Sequence, residues 1–247
     1  MGSYDQHFYD AINTGASRSA TAICGWMHEL IEPKSILDVG CGEGSWLAAW
    51  DALGVSDIVG LDGAHVDRAR LRIPADRFQA TDLRSGFRLG RRFDLVESLE
   101  VAEHLPPASG DGLIESLAAH GDAVLFSAAP PGQFGVGHVN ERPYEHWRAQ
   151  FAAAGFDCYD AVRSRFARDR SIEPWYRYNA FLFLRRGAEP SGSERLKALR
   201  VPTGVPLRDV AALPWRARNA VFRIVPRCIA STLATLSARA RSRLQRR

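Results

Sequence analysis

The run Ser35-Ile36-Leu37-Asp38-Val39-Gly40-Cys41-Gly42-Glu43-Gly44 constrains this chain more than any other feature. Five residues of strand character lead into three alternating glycines. Ser45 to Leu53 then resumes with helical spacing, and Gly54 is placed to close that helix. Strand, glycine turn and helix together make a ligand-binding loop. Glycine lets the backbone approach a ligand closely, and the helix start presents free N–H groups. The spacing narrows the choice of ligand. A dinucleotide loop reads G-x-G-x-x-G and cradles a pyrophosphate. Here the glycines alternate, and Asp38 stands two residues before the first of them. A carboxylate in that place repels a pyrophosphate and welcomes a cation.

The rest of the chain repeats the alternation of strand and helix. The spacing predicts a helix over 17–31, strands at 57–62, 78–83 and 93–99, a helix over 111–120 and a strand at 123–127. A helix over 144–154 follows, with Trp147 and Phe151 on its core face, and then late strands at 157–163 and 178–185. Such alternation implies βαβ units, an α/β fold and a mostly parallel sheet. The chain has 247 residues, 46% of them hydrophobic, enough for one such domain with an appendage. We read residues 1–186 as the domain, 187–214 as a linker and 215–247 as a basic amphipathic helical tail. From Gly187 onward thirteen basic residues face three acidic ones, a net +10 that leaves −6 on the first 186 residues. The four cysteines, Cys24, Cys41, Cys158 and Cys228, include no C-x-x-C pair. With no signal-like start and no apolar run of about 20 residues, a cytoplasmic protein is expected.

The segment "ILDVGCGEG" (Ile36 to Gly44) resembles the first motif of class I S-adenosylmethionine-dependent methyltransferases, and the likeness continues in order over residues 17–186. It implies a Rossmann-like seven-stranded methyltransferase sheet, mostly parallel with an antiparallel last strand and helices on both faces. The implied cofactor is S-adenosyl-L-methionine, whose ammonium and sulfonium suit Asp38. Asp38, Gly40, Cys41 and Gly42 belong to the glycine loop. "IVGLD" places Asp62, followed by Gly63, where the family bonds the ribose hydroxyls. "ATDL" places Asp82 and Leu83 where it contacts adenine. "FDLVESLEVAEHL" resembles the fourth-strand motif and sets Ser98 beside the cofactor.

Methyl transfer from a sulfonium is an in-line displacement whose leaving thioether needs no acid. A hydroxyl acceptor, by contrast, needs a general base or a metal that lowers its pKa. Glu100, Glu103 and His104 share one face if a helical turn begins there, and His138 follows the fifth strand. The pattern E-x-x-E-H with a later histidine resembles metal-dependent small-RNA 3′-end 2′-O-methyltransferases, and its first part resembles ubiquinone-pathway O-methyltransferases. That likeness implies Mg²⁺ or Mn²⁺ on Glu100, Glu103, His104 and His138. Without a metal, His138 or His104 is the candidate base. Glu141 reads as a hydrogen-bonded loop residue or a further ligand, and Cys41 as a small filler. The loop from Pro130 to Gly137 is placed to shape the acceptor pocket. Trp175, Tyr176 and Asn179 either line that pocket or pack, and Tyr4, His7 and Tyr9 form a lid or an arm.

The leading expectation for the acceptor is a sugar hydroxyl on a glycan or small natural product. RNA 3′-terminal ribose 2′-O-methylation is the alternative, although the acidic body offers no evident phosphate groove. A third reading is a scaffold that binds cofactor without turnover. The tail from about Trp215, with Phe222, Val225, Ile229, Leu233 and Leu236 at helical steps, is expected to lie on the inner face of a membrane or to pack on the domain or on a second subunit.

Overall fold

The computed structural model describes residues 6–190 and 193–224, and the side chains within that range except those of residues 6–14, 111 and 224. Tyr4, Cys228 and the tail beyond residue 224 therefore lie outside the described residues, as do the side chains of His7 and Tyr9. Seven strands form one sheet: β1 Ser35–Val39, β2 Asp57–Asp62, β3 Phe78–Ala80, β4 Leu95–Leu99, β5 Ala123–Ser127, β6 Phe156–Tyr159 and β7 Phe181–Arg185. Their order is β3-β2-β1-β4-β5-β7-β6. The pairs from β3 to β5 are parallel, and β7 is antiparallel to both β5 and β6. This is the sheet the sequence implied.

Side-chain alternation along each strand explains the two covered faces. Ile36, Leu95, Leu125 and Leu182 point one way and pack with Ile23 and Met27 of α1 (Gln6–Ile31) and Leu47 and Trp50 of α2 (Ser45–Ala52). Leu37, Val96, Val124, Phe126 and Phe183 point the other way. They meet Leu113 and Leu117 of α3 (Pro107–His120) and Trp147 and Phe151 of α4 (Tyr144–Ala153). Phe151 stacks on Phe183 with ring centroids 4.0 Å apart. Because β2 and β4 flank β1 on opposite sides, the strand order reverses between β1 and β4. The crevice at their carboxyl ends is where ligands bind in such sheets.

Several boundaries differ from the sequence reading, each for a local reason. α1 begins at Gln6 rather than Ser17. Gly15 lies within it and leaves space for the Glu173 carboxylate, which a Cβ would strike. β3 stops at Ala80 because Asp82 caps a short 3-10 turn, its Oδ1 accepting from the Arg84 N–H at 3.1 Å. Pro174–Asn179 is a helix, α6, not the start of the last strand; Pro174 sits in its first turn, where its missing N–H costs nothing. Before it, α5 (Arg163–Phe166) replaces the end of the strand expected to reach Arg163. Asp160 turns the chain there by accepting two bonds of 3.0 Å from the Arg163 guanidinium.

Residues 193–211 run along the outer edge of the sheet. Val201 N–H donates to the Cys158 carbonyl (2.8 Å) and Asp160 N–H to the Leu199 carbonyl (2.9 Å). Leu196 of α7 (Glu194–Lys197) is fully buried, and Arg148 of α4 donates to the Val205 and Pro202 carbonyls, both at 2.6 Å. This strap covers the free edge of β6, which would otherwise invite pairing with another chain. It delivers the chain to α8 (Leu213–Ile224). Among the described residues no helix is long and apolar enough to cross a membrane.

Candidate active site

The loop after β1 takes the shape its glycines permit. Gly40 has φ +88°, and a Cβ on it would strike the Val101 side chain, so no other residue fits. Gly40 and Cys41 N–H groups donate to the Leu61 carbonyl at 2.7 and 3.1 Å. Asp62, at the end of β2, fastens the loop from below. Its Oδ2 accepts from the Gly42 N–H (2.7 Å) and its Oδ1 from the Gly63 N–H (2.6 Å). The residues assigned to the first and second motifs are thus joined by one carboxylate. Gly44, also at positive φ, starts α2.

Beneath the loop lies a feature the motif reading passed over. Asp38 and Glu97 are in register on adjacent parallel strands, so their side chains stand side by side on the α1/α2 face. Both are buried, at 3% and 0% exposure. Glu97 Oε2 accepts from the Trp50 indole N–H at 3.0 Å, whereas Glu97 Oε1 and Asp38 Oδ2 find no hydrogen-bond partner. Burial pushes the Glu97 carboxyl up to about 8. Burial, then the neighbouring Glu97 and Asp62 charges, push Asp38 well above the usual carboxylate range. Burial and the same acids also raise the thiols of Cys24 and Cys41, which fits Cys41 as a filler and not a nucleophile. A glutamate in the middle of an apolar strand was the available signal for Glu97.

The other residues expected at the cofactor are more dispersed. Leu83 is buried, while Asp82 is exposed and bonded to Arg84 on the 3-10 turn, which holds its carboxyl below the usual value. Ser98 is buried with an unpartnered hydroxyl and, being next to Glu97 on β4, points to the opposite face of the sheet.

At the carboxyl end of β4 the chain turns through Glu100, a non-glycine residue at φ +59°. Its N–H donates to Ser127 O (3.0 Å) and Oγ (3.1 Å), which pins the turn to the end of β5. Its carboxylate accepts from Gln133 Nε2 (2.5 Å) and Asn179 Nδ2 (3.3 Å). Asn179 Nδ2 also donates to Gln133 Oε1 (2.7 Å), and the Tyr144 hydroxyl donates to Asn179 Oδ1 (2.9 Å). Gln133 and Tyr144 join this network without having been singled out from sequence.

The next turn holds a second group. Glu103 is fully buried, and neither of its carboxylate oxygens has a hydrogen-bond partner. Burial, and then Glu100, raise its pKa well above the usual range. Its backbone carbonyl accepts from the N–H groups of Val139 (2.8 Å) and Asn140 (3.0 Å), which draws the loop bearing His138 against it. The rings of His104 and His138 meet edge to face with centroids 4.8 Å apart. Desolvation and the nearby His138 push His104 down to about 4, so it is neutral at pH 7. His138 Nδ1 lies 2.8 Å from Glu141 Oε1, and Glu141 also accepts from the Gly132 and Phe134 N–H groups, each at 2.8 Å. Glu141 is therefore a hydrogen-bonded loop residue that holds His138 as the Nδ1–H tautomer.

Ligand atoms of Glu103, His104 and His138 all lie within 4.8 Å of one another. Of the four residues implied as metal ligands, the structure gathers these three, while Glu100 stands beside them with its oxygens on Gln133 and Asn179. The gathered donors fit a divalent ion. Glu103 has two unanswered oxygens, His104 is neutral, and His138 is oriented by a carboxylate behind it, as metal-binding histidines commonly are.

The doubly covered sheet, with a carboxylate-flanked glycine loop at its switch point, defines the class of S-adenosylmethionine-dependent methyltransferases. The family model described as a methyltransferase domain matches residues 16–162, more than half of the chain, and the chain belongs to that family. It is similar to solved structures at the level of fold. S-adenosylmethionine-bound CalS10, an amino pentose methyltransferase of Micromonospora echinaspora, is 21% identical over 75% of this chain and 99% of its own, with a TM-score of 0.54. The sugar N-methyltransferase KedS8 of Streptoalloteichus is 20% identical over 75% and 95%, with a TM-score of 0.56. The methyltransferase domain of bacterial CtHen1-C is 16% identical over 69% and 98%, with a TM-score of 0.51. No curated protein matches the chain.

Proposed function

We propose that this enzyme transfers the methyl group of S-adenosylmethionine to a sugar hydroxyl of a glycan or small natural product, with a divalent metal assisting. The gathering of Glu103, His104 and His138, with both Glu103 oxygens unpartnered, carries this reading. An amine acceptor needs no such apparatus, because its lone pair is available once it is deprotonated; a hydroxyl is too weakly acidic to react unaided. Glu103, His104 and His138 would hold Mg²⁺ or Mn²⁺, which when bound would supply Lewis acidity to lower the pKa of the acceptor hydroxyl.

The residues of the chain do the rest. Asp38 and Asp62 hold the cofactor's methionine and ribose ends at the glycine loop, and Leu83 with Asp82 flanks the adenine. In the displacement the acceptor oxygen forms a bond to the methyl carbon, the carbon–sulfur bond breaks, and its electron pair stays on sulfur as a neutral thioether. The hydroxyl proton leaves to a base. With the metal on His138 Nε2, the acidified hydroxyl gives its proton to solvent; in a metal-free site Glu141 holds the Nδ1–H and the same Nε2 lone pair is the candidate base. His104 stays neutral beside it. Gln133, Asn179 and Tyr144 hold Glu100 at the pocket edge, where amide and carboxylate groups suit the paired hydroxyls of a sugar.

The pattern Glu100-x-x-Glu103-His104 with the later His138 supports a second reading, in which the acceptor is a 3′-terminal ribose 2′-hydroxyl of RNA. Incubation with methyl-labelled cofactor and three acceptor sets separates the possibilities: nucleotide-linked neutral sugars, matched amino sugars, and short RNA. We expect labelled neutral sugar in the presence of Mn²⁺ and none in EDTA. Labelling of amino sugars alone, indifferent to EDTA, overturns the hydroxyl reading. Labelling of RNA alone transfers it to ribose. Cofactor binding with no turnover on any set leaves a non-catalytic scaffold.

A further inference from the structure

The family match ends at residue 162, yet α8, well beyond it, lies against the acceptor side of the site. Arg218 donates from Nη1 to the Gln133 carbonyl and to Asn219 Oδ1, both at 2.9 Å. Arg223 donates to the Pro131 carbonyl at 2.9 Å. Phe222 meets Phe134 with centroids 5.5 Å apart, and Trp215 meets Tyr178 at 6.2 Å. The Arg218 guanidinium lies over both the Trp215 and Phe222 rings. Gly132 has φ +90°, and a Cβ there would strike the Asn219 carbonyl, so loop and helix meet backbone to backbone.

The loop gripped in this way is the one that carries the chemistry. Gln133 places its amide on Glu100 and Asn179, while Glu141 holds the Gly132 and Phe134 N–H groups together with His138. α8 grips the 131–134 segment from outside and Glu141 grips it from within. Both Phe134 and Glu100 sit at positive φ, conformations that persist only where the surroundings impose them.

We propose that α8 is a wall of the acceptor site and that Arg218 is a positioning residue, holding the Gln133 amide on Glu100. This rests on the reading that the acceptor enters beside Glu100 and His138. Acceptor selection then depends on a segment outside the matched family domain.

The test needs no acceptor. The chain has five glutamines, so protein labelled with ¹⁵N-glutamine and saturated with S-adenosylhomocysteine yields five side-chain amide pairs. The Gln133 pair is assigned by its loss in Gln133→Glu. In Arg218→Ala we expect that pair to move to the free-amide position and the Phe134 backbone amide to exchange at least tenfold faster. S-adenosylhomocysteine affinity should stay within twofold. Arg218→Lys, which keeps a donor, should retain most of the wild-type signal. An unmoved Gln133 signal in Arg218→Ala overturns the proposal. So does a shift accompanied by loss of cofactor affinity, which would make α8 a general stabiliser. Because this readout involves no substrate, its failure and failure of the sugar reading are distinct results.

Discussion

Replacing Glu97 by glutamine should make the protein more stable at alkaline pH while changing little near pH 5. Glu97 is fully buried beside Asp38, and burial raises its carboxyl from 4.5 to about 8. Between those values the folded state holds a proton that the unfolded state has released. Stability therefore falls as pH rises, by about 1.4 kcal/mol per pH unit for each such proton. Across the whole interval the loss from Glu97 reaches about 5 kcal/mol, comparable with the total stability of many domains. Glutamine keeps the Trp50 indole bond through its carbonyl and presents an amide where the unpartnered Oε1 stood, so the low-pH fold is undisturbed. Urea denaturation of the cofactor-free protein at pH 5.5, 6.5, 7.5 and 8.5 measures the effect. With an m-value of about 2 kcal/mol per molar, one proton corresponds to roughly 0.7 M in midpoint per pH unit. Asp38 is also raised and remains in the variant, so the slope should diminish by one proton and not vanish. Parallel pH dependences for wild type and Glu97→Gln would refute the argument, because they would place an ionised Glu97 in the folded protein at neutral pH.

Other consequences follow from the same geometry. Gly40→Ala should abolish S-adenosylhomocysteine binding in calorimetry, since its Cβ meets Val101 at a positive φ that alanine rarely adopts. Calorimetric titration of Mn²⁺ into the cofactor-bound protein should show one site, lost in Glu103→Ala and His138→Ala but retained in Glu100→Gln; loss in Glu100→Gln alone would restore Glu100 to the ligand set. Asp62→Asn should weaken S-adenosylhomocysteine roughly tenfold or more, because one of its carboxylate oxygens is replaced by an amide that faces the Gly42 or Gly63 N–H with no lone pair to offer.

The legible parts of the fold are those where one local pattern has one structural meaning. The apolar runs of β1, β4 and β5 specify buried parallel strands, and each strand of the sheet has a counterpart in the sequence reading. The acids at successive strand ends could be placed in order before any geometry was known. Boundaries were less visible where a side chain far along the sequence decides them. The helix over 17–31 extends back through Gly15 to Gln6, and Gly15 leaves the space that the Glu173 carboxylate fills. Tyr178 and Asn179 look like strand until Pro174 is seen to start a turn of helix.

The catalytic edge divides along the same line. His104 and Glu103 are neighbours in sequence, and a turn places them together. His138 reaches them only because the Glu103 carbonyl captures two N–H groups of its loop, a contact with no sequence signature. Gln133 is harder still to foresee. Its amide bonds to Glu100 and Asn179, and its carbonyl accepts from Arg218 of the distant α8, so its place depends on long-range packing that leaves no periodic trace. The cofactor half of the site is local in sequence and shared by a family. On the reading that the acceptor enters beside Glu100 and His138, its half of the site is assembled from scattered segments, one of them beyond the family domain, and specificity would reside there.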